Sequence, residues 1–114
     1  MDIFLSYQAP GSGDDLADLL EMAGMAAILG RSCVLVFFGD GVLRLRREDR
    51  EQPGRRSLQE TLQLIEEGLI EARADADALE AHGVDPDSLL FPVRSSSREA
   101  LGELLARADH VMGW

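Results

Sequence analysis

The sequence predicts an α/β protein, a three-layer α/β/α arrangement around a mostly parallel five-stranded sheet, and three observations carry that expectation. Extended apolar segments and amphipathic helical segments alternate five times along the chain. The connections between the extended segments are too long for hairpins, which leaves helical crossovers and parallel pairing. Cys33 to Phe38 is an unbroken run of six apolar residues between Gly30 and Gly39, the pattern of a strand covered on both faces. At 114 residues and 46% hydrophobic, the chain is expected to form one domain over residues 1–114, with one core.

Ile3 to Tyr7 reads as the first strand, stopped by the turn-forming cluster Ala9-Pro10-Gly11-Ser12-Gly13. From Asp14, the residues Leu16, Leu19, Leu20, Ala23, Ala26 and Ala27 recur at helical spacing, with acids in the first turn and Gly30 placed to end the helix. The Cys33 to Phe38 strand follows and stops on Gly39-Asp40-Gly41. Val42 to Leu45 is expected to continue briefly as an extended segment. Ser57-Leu58-Gln59-Glu60 has the form of a capping box for a second helix whose buried stripe is Leu58, Leu62 and Ile65, ending at Gly68. Leu69 to Ala72 is the third strand. Asp75 or Asp77 is placed to cap a short helix that runs through Leu79 to His82-Gly83. Leu89 to Val93 reads as a fourth strand at an edge or strand end, because Pro92 has no amide to donate. Ser96-Ser97-Arg98-Glu99 is a second capping box, before the helical face Leu101, Leu104, Leu105 and Ala108. His110 to Trp114 closes the chain as the last strand.

One cysteine excludes an intrachain disulfide framework and a Cys-rich zinc site, and it suits a reducing compartment. Cys33 opens a strand expected to be buried on both faces, so its thiolate is disfavoured by desolvation and its nucleophilicity is low. No apolar run approaches the roughly 20 residues that span a bilayer, and Met1 to Leu5 lacks a basic flank, so a soluble cytoplasmic protein is the expectation. The net charge of -10 disfavours general nucleic-acid or acidic-membrane binding. That charge is unevenly spread. All eleven cations are Arg, and Arg44, Arg46, Arg47, Arg50, Arg55 and Arg56 face only Glu48, Asp49 and Glu51, so the stretch 44–56 carries +3. Such a stretch is either a solvated loop or a surface for a partner or RNA.

Gly11-Ser12-Gly13 lacks both the dinucleotide-binding fingerprint and the Lys-Ser/Thr ending of a phosphate loop. Asp14 and Asp15 would stand where a phosphate sits, so the segment is read as a turn. His82 and His110 have no second ligand at metal spacing, and Ser95, Ser96 and Ser97 fit helix caps better than nucleophiles. Asp40 lies just past the carboxyl end of a central strand, where open parallel sheets bind ligands, although its side chain also suits the turn itself.

Taken in order, four stretches resemble the DsrE/DsrF sulfur-relay family, and within it the TusC/DsrF branch. Ser6 to Gly11 is similar to that branch's Ala-Pro turn after the first strand. Cys33 to Leu45 is similar to its second strand and Asp-Gly-Val turn. Asp75 to Val84 is similar to its short helix, with His82 where Arg is usual, and Ala108 to Trp114 is similar to a final strand closed by an aromatic residue. The resemblance implies a compact α/β subunit that assembles with TusB/DsrH-like and TusD/DsrE-like sister subunits to pass persulfide sulfur, in tRNA 2-thiouridine synthesis or in dissimilatory sulfur oxidation.

In the TusD/DsrE branch the acceptor cysteine lies just before the short helix, which corresponds here to Arg73 to Asp75, and no cysteine stands there. The resemblance therefore implies a subunit without catalytic residues, cofactor or metal, in a hetero- or homo-oligomer. Its candidate partner-docking residues are Asp40, Gly41, Leu43, Arg44, Leu45, Arg46, Arg47, Met112 and Trp114. Two other readings stand beside it: a free-standing DsrE-type sulfurtransferase that uses Cys33, and an RNA-docking module that uses the Arg-rich stretch.

Overall fold

In the computed structural model, which describes residues 1–11, 15–47 and 55–114, the apolar run after Gly30 becomes the central strand of a parallel sheet. The elements in chain order are β1 (Asp2–Ser6), α1 (Asp15–Ile28), β2 (Cys33–Phe37), a 3-10 helix (Gly39–Leu45), α2 (Arg55–Glu66), β3 (Ile70–Asp75), α3 (Ala76–Ala81), β4 (Arg94–Ser96), α4 (Arg98–Ala106) and β5 (His110–Gly113). The strand order is β4-β3-β2-β1-β5, and every neighbouring pair is parallel.

That order also sorts the helices. The chain steps from β1 through β4 in one direction and returns across the sheet to β5, so right-handed crossovers put α1, α2 and α3 on one face and α4 on the other. The packing agrees. Phe4, Leu35, Phe37 and Ala72 join Leu16, Leu19, Leu20, Ala23 and Leu79 in the larger core cluster, while Ile3, Val34 and Val36 meet Leu101 and Leu104 in the smaller one. β2 serves both clusters, which is why all five of its residues are buried. Left-handed glycines, Gly30 (φ 88°) and Gly68 (φ 75°), follow α1 and α2, where a residue with a Cβ would be strained.

Several boundaries differ from the sequence expectation, each for a local reason. Val42 to Leu45 is not extended. It lies in the 3-10 helix, whose three-residue turn puts Val42 and Leu45 on one side, both wholly enclosed. β3 runs on to Asp75 instead of stopping at Ala72, because Glu71, Arg73 and Asp75 alternate with Ile70, Ala72 and Ala74 across the pleat.

The fourth strand is Arg94–Ser96, not Leu89 to Val93. Pro92 cannot donate to a ladder. The segment before it packs as a buried plug instead: Leu89, Leu90 and Phe91 are buried, Arg46 and Leu89 form one antiparallel bridge, and the Phe91 and Phe37 rings lie 5.8 Å apart. The α4 cap is Ser97, whose Oγ accepts from Ala100 N at 3.1 Å, whereas Ser96 ends β4. α2 starts at Arg55, so the Ser57 to Glu60 pair lies inside its first turns rather than across its start. Ser12, Gly13 and Asp14, and the loop at Pro53-Gly54, lie outside the described residues. Among the described residues no helix is long and apolar enough to cross a membrane.

Candidate functional site

The carboxyl ends of β1, β2 and β3 meet where open parallel sheets place their ligand sites. Asp75, the last residue of β3, is wholly buried there and holds three segments together. Its Oδ1 accepts from Asp77 N at 3.1 Å and Ala78 N at 3.3 Å, which caps α3. Its Oδ2 accepts from Gly39 N at 3.4 Å, at the start of the 3-10 helix, and from Arg98 Nε at 3.3 Å, in the first turn of α4. The Arg98 guanidinium also sits 5.6 Å from the centre of the Phe38 ring. Beside this knot, Asp40 Oδ1 lies 3.0 Å from His82 Nε2, so the turn after β2 is tied to the end of α3.

Gly41 rests directly on β1. A Cβ there would stand 1.9 Å from Ser6 O, so only glycine lets the 3-10 helix lie this close to the strand end. Ser6 Oγ, enclosed beneath, has no hydrogen-bond partner among the described residues. Thus Arg73 to Asp75, the stretch just before the short helix, presents no nucleophile: Ala74 and Asp75 are wholly buried, and the Asp75 carboxylate is committed to four donors.

The candidate docking residues divide sharply in this fold. Leu45 is in the core, and Leu43, Met112 and Trp114 are partly buried against it. The Trp114 ring stacks on Phe4 with centroids 6.1 Å apart, and its carbonyl accepts from Tyr7 N and Gln8 N. Arg44 is buried at 5% exposure, with Nε donating to Gln8 O and Nη2 to Ala9 O, so it braces the segment after β1. Arg46 and Arg47 are exposed, and their Nε atoms donate to Leu43 O and Leu89 O. Asp40 is exposed at the His82 contact, and Gly41 is enclosed. Arg50 lies outside the described residues, as do the side chains of Arg55 and Arg56.

Cys33 stands at the opposite, amino edge of the sheet, about 13 Å along β2 from the carboxyl end at a strand rise of about 3.3 Å per residue. It is 3% exposed, and its Sγ donates to Arg31 O at 3.5 Å. Burial pushes its thiol up, and the Asp2 carboxylate adds to that shift. Asp2 and Cys33 are register partners, as are Asp2 and His110. Arg31 donates to both Asp2 oxygens, and His110 Nδ1 lies 3.2 Å from Asp2 Oδ1. The guanidinium of Arg31, and then His110, hold the Asp2 carboxyl down at about 2. Sequence spacing did not bring these residues together, since three separate strand starts supply them. Among the described residues no group of His, Cys, Asp or Glu is placed to hold a metal ion.

The sequence model of the DsrE/DsrF-like family matches residues 1–114. No curated protein is similar enough to count as a match. Among solved structures, the crystal structure of the ychN protein from E. coli superposes with a TM-score of 0.76 at 16% identity, covering 99% of this chain and 97% of that one, a likeness of fold.

Proposed function

The chain belongs to the DsrE/DsrF-like family, and from that premise we propose that it is a non-catalytic docking subunit of a persulfide-relay complex. One observation carries the reading. The sole thiol is enclosed at the amino edge, while Arg73 to Asp75, the stretch that would carry an acceptor cysteine, ends on a buried carboxylate that organises the fold. A buried thiol with a raised pKa is a poor acceptor of sulfane sulfur, because the thiolate is the nucleophile. The chain's part is then to shape and hold sister subunits that carry the reacting cysteine, of TusB/DsrH-like and TusD/DsrE-like kind. The relay serves either tRNA thiolation or sulfur oxidation.

The test is uptake of sulfur by the folded chain. Incubation with a cysteine-persulfide donor and intact-mass measurement should show no stoichiometric gain of one sulfur atom on this subunit, whereas a TusD-like sister in the same mixture gains it. A native adduct on Cys33 would overturn the reading in favour of a free-standing sulfurtransferase. Salt-sensitive tRNA binding by the chain alone would favour the RNA-docking reading of the Arg-rich stretch.

A further inference from the structure

Residues 22–29 of α1 and the turn after it, Met-Ala-Gly-Met-Ala-Ala-Ile-Leu, contain no polar side chain over more than two helical turns. A helix apolar all round is one that is covered on two sides. Here one side is covered: Ala23 and Ala27 pack into the core at 0% and 5% exposure. The other is open, with Met25 at 59%, Ile28 at 77% and Leu29 at 80% exposure, Met22 nearly half exposed, and Leu69 half exposed beyond the end of α2.

Between α1 and α2 this surface dips into a groove lined by Leu20, Gly24, Met25, Ile28 and Leu64. Gly24 makes the dip, since a Cβ there would touch only Leu64 Cδ1, at 3.7 Å. Glu21 on α1 and Glu67 just past α2 give the groove an acidic lip, and Thr61 and Gln63 complete its α2 side. The arginine just beyond α1, Arg31, is taken up by Asp2.

We propose that this α1/α2 face docks an amphipathic helix of another protein, with an apolar side flanked by Lys or Arg. The groove runs between two helices with its apolar residues mainly on the α1 side, and methionines at its surface adapt to a packed partner. The charge selects the sign. A second copy would bring one acid-lipped groove against another in a chain of net charge -10, whereas basic flanks complement the lip and steer the encounter. The inference needs no sulfur chemistry, so it stands or falls separately from the relay reading.

The probe is a fluorescein-labelled synthetic helix with a Leu/Ile face and Lys flanks, titrated by anisotropy with the full chain. Micromolar binding is expected. It should weaken about tenfold or more with Ile28→Ser or Met25→Ser, fall as salt rises, and stay unchanged with Val111→Ser, which alters an exposed apolar residue on β5. A matched peptide with Glu flanks should bind about tenfold more weakly or worse. The proposal is overturned by equal binding of the two peptides, by indifference to both α1 substitutions, or by no binding of either peptide. It is also overturned if sedimentation shows a homodimer that Ile28→Ser dissolves. Both α1 positions are solvent-exposed, so the Ser variants keep the fold, which circular dichroism checks.

Discussion

Arg98 and Asp75 join the two helical layers around the end of the sheet: Arg98 Nε in α4 donates to Asp75 Oδ2 at 3.3 Å, while Asp75 Oδ1 caps α3 in the opposite layer. A carboxylate at this position therefore contributes structure, tying β3, α3, the 3-10 helix and α4 together. Arg98 is 59% exposed, so the charge pair itself adds little, and the weight falls on the backbone amides that Asp75 satisfies.

Removing that carboxylate should be costly. Asp75→Ala uncaps α3 and strands the Gly39 amide and the Arg98 guanidinium, an expected loss of about 3 kcal/mol in urea unfolding. Asp75→Asn keeps one acceptor oxygen and should lose about half as much, and Arg98→Ala only about 0.5 kcal/mol. A result in which Arg98→Ala matches Asp75→Ala would show that the ion pair, not the cap, holds this corner.

The same chemical change should have opposite signs at two glycines. Gly41→Ala drives a Cβ into the Ser6 carbonyl, so the 3-10 helix must lift from β1, at an expected cost of about 2 to 4 kcal/mol. Gly102→Ala, on the exposed side of α4 with nothing within 4 Å of its new methyl group, should stabilise by about 0.5 to 1 kcal/mol through helix propensity. Thermal unfolding of the two variants beside the parent settles both signs at once.

Acid sensitivity should trace to the amino edge. The Asp2 carboxyl is lowered from 3.8 to about 2, chiefly by its hydrogen bonds from Arg31. A carboxyl lowered by folding stabilises the native state above its unfolded pKa, and that stability disappears as pH falls through the folded value. The decline should therefore occupy the interval from pH 3.8 down to about 2, and Asp109, lowered by the amino terminus, adds a slope of the same sign. Arg31→Gln should flatten the urea midpoint over that interval and leave the effect of Asp109 in place. An unchanged acid limb in Arg31→Gln would count against the assignment.

Much of this architecture was legible because burial wrote it into the sequence. The doubly covered β2 and the core stripe of α1 follow from apolar spacing, and the stops after α1 and α2 from glycines that accept a left-handed backbone. β4 was not legible: Arg94-Ser95-Ser96 is polar and short, and only Ser96 is buried, so its pairing with β3 is set by position and not by pattern. The candidate site was legible in place but not in content. Asp40 was visible at a strand end, yet its contact with His82 joins residues 42 apart. Arg44 looked like a surface cation because nothing local announces the Gln8 and Ala9 carbonyls that enclose it. The signal for the open α1 face was available in residues 22–29, which carry more apolar surface than one core can cover.

Cys33 offers the last test. At 3% exposure, with its pKa raised by burial, the thiol reacts only when the chain opens. Native protein should therefore be alkylated by iodoacetamide at least about a hundredfold more slowly than protein in urea, with a rate that tracks unfolding. Cys33→Ala removes only the sulfur from a packed site and should cost about 1 kcal/mol. If the proposed relay role holds and the thiol is only core, that variant, assembled with TusB/DsrH-like and TusD/DsrE-like subunits, should transfer sulfur as the parent does. Rapid stoichiometric alkylation of the folded chain, or loss of transfer in a Cys33→Ala complex that still folds and assembles, would make the buried sulfur a participant and shift the chemistry to the amino edge, beside Asp2, Arg31 and His110.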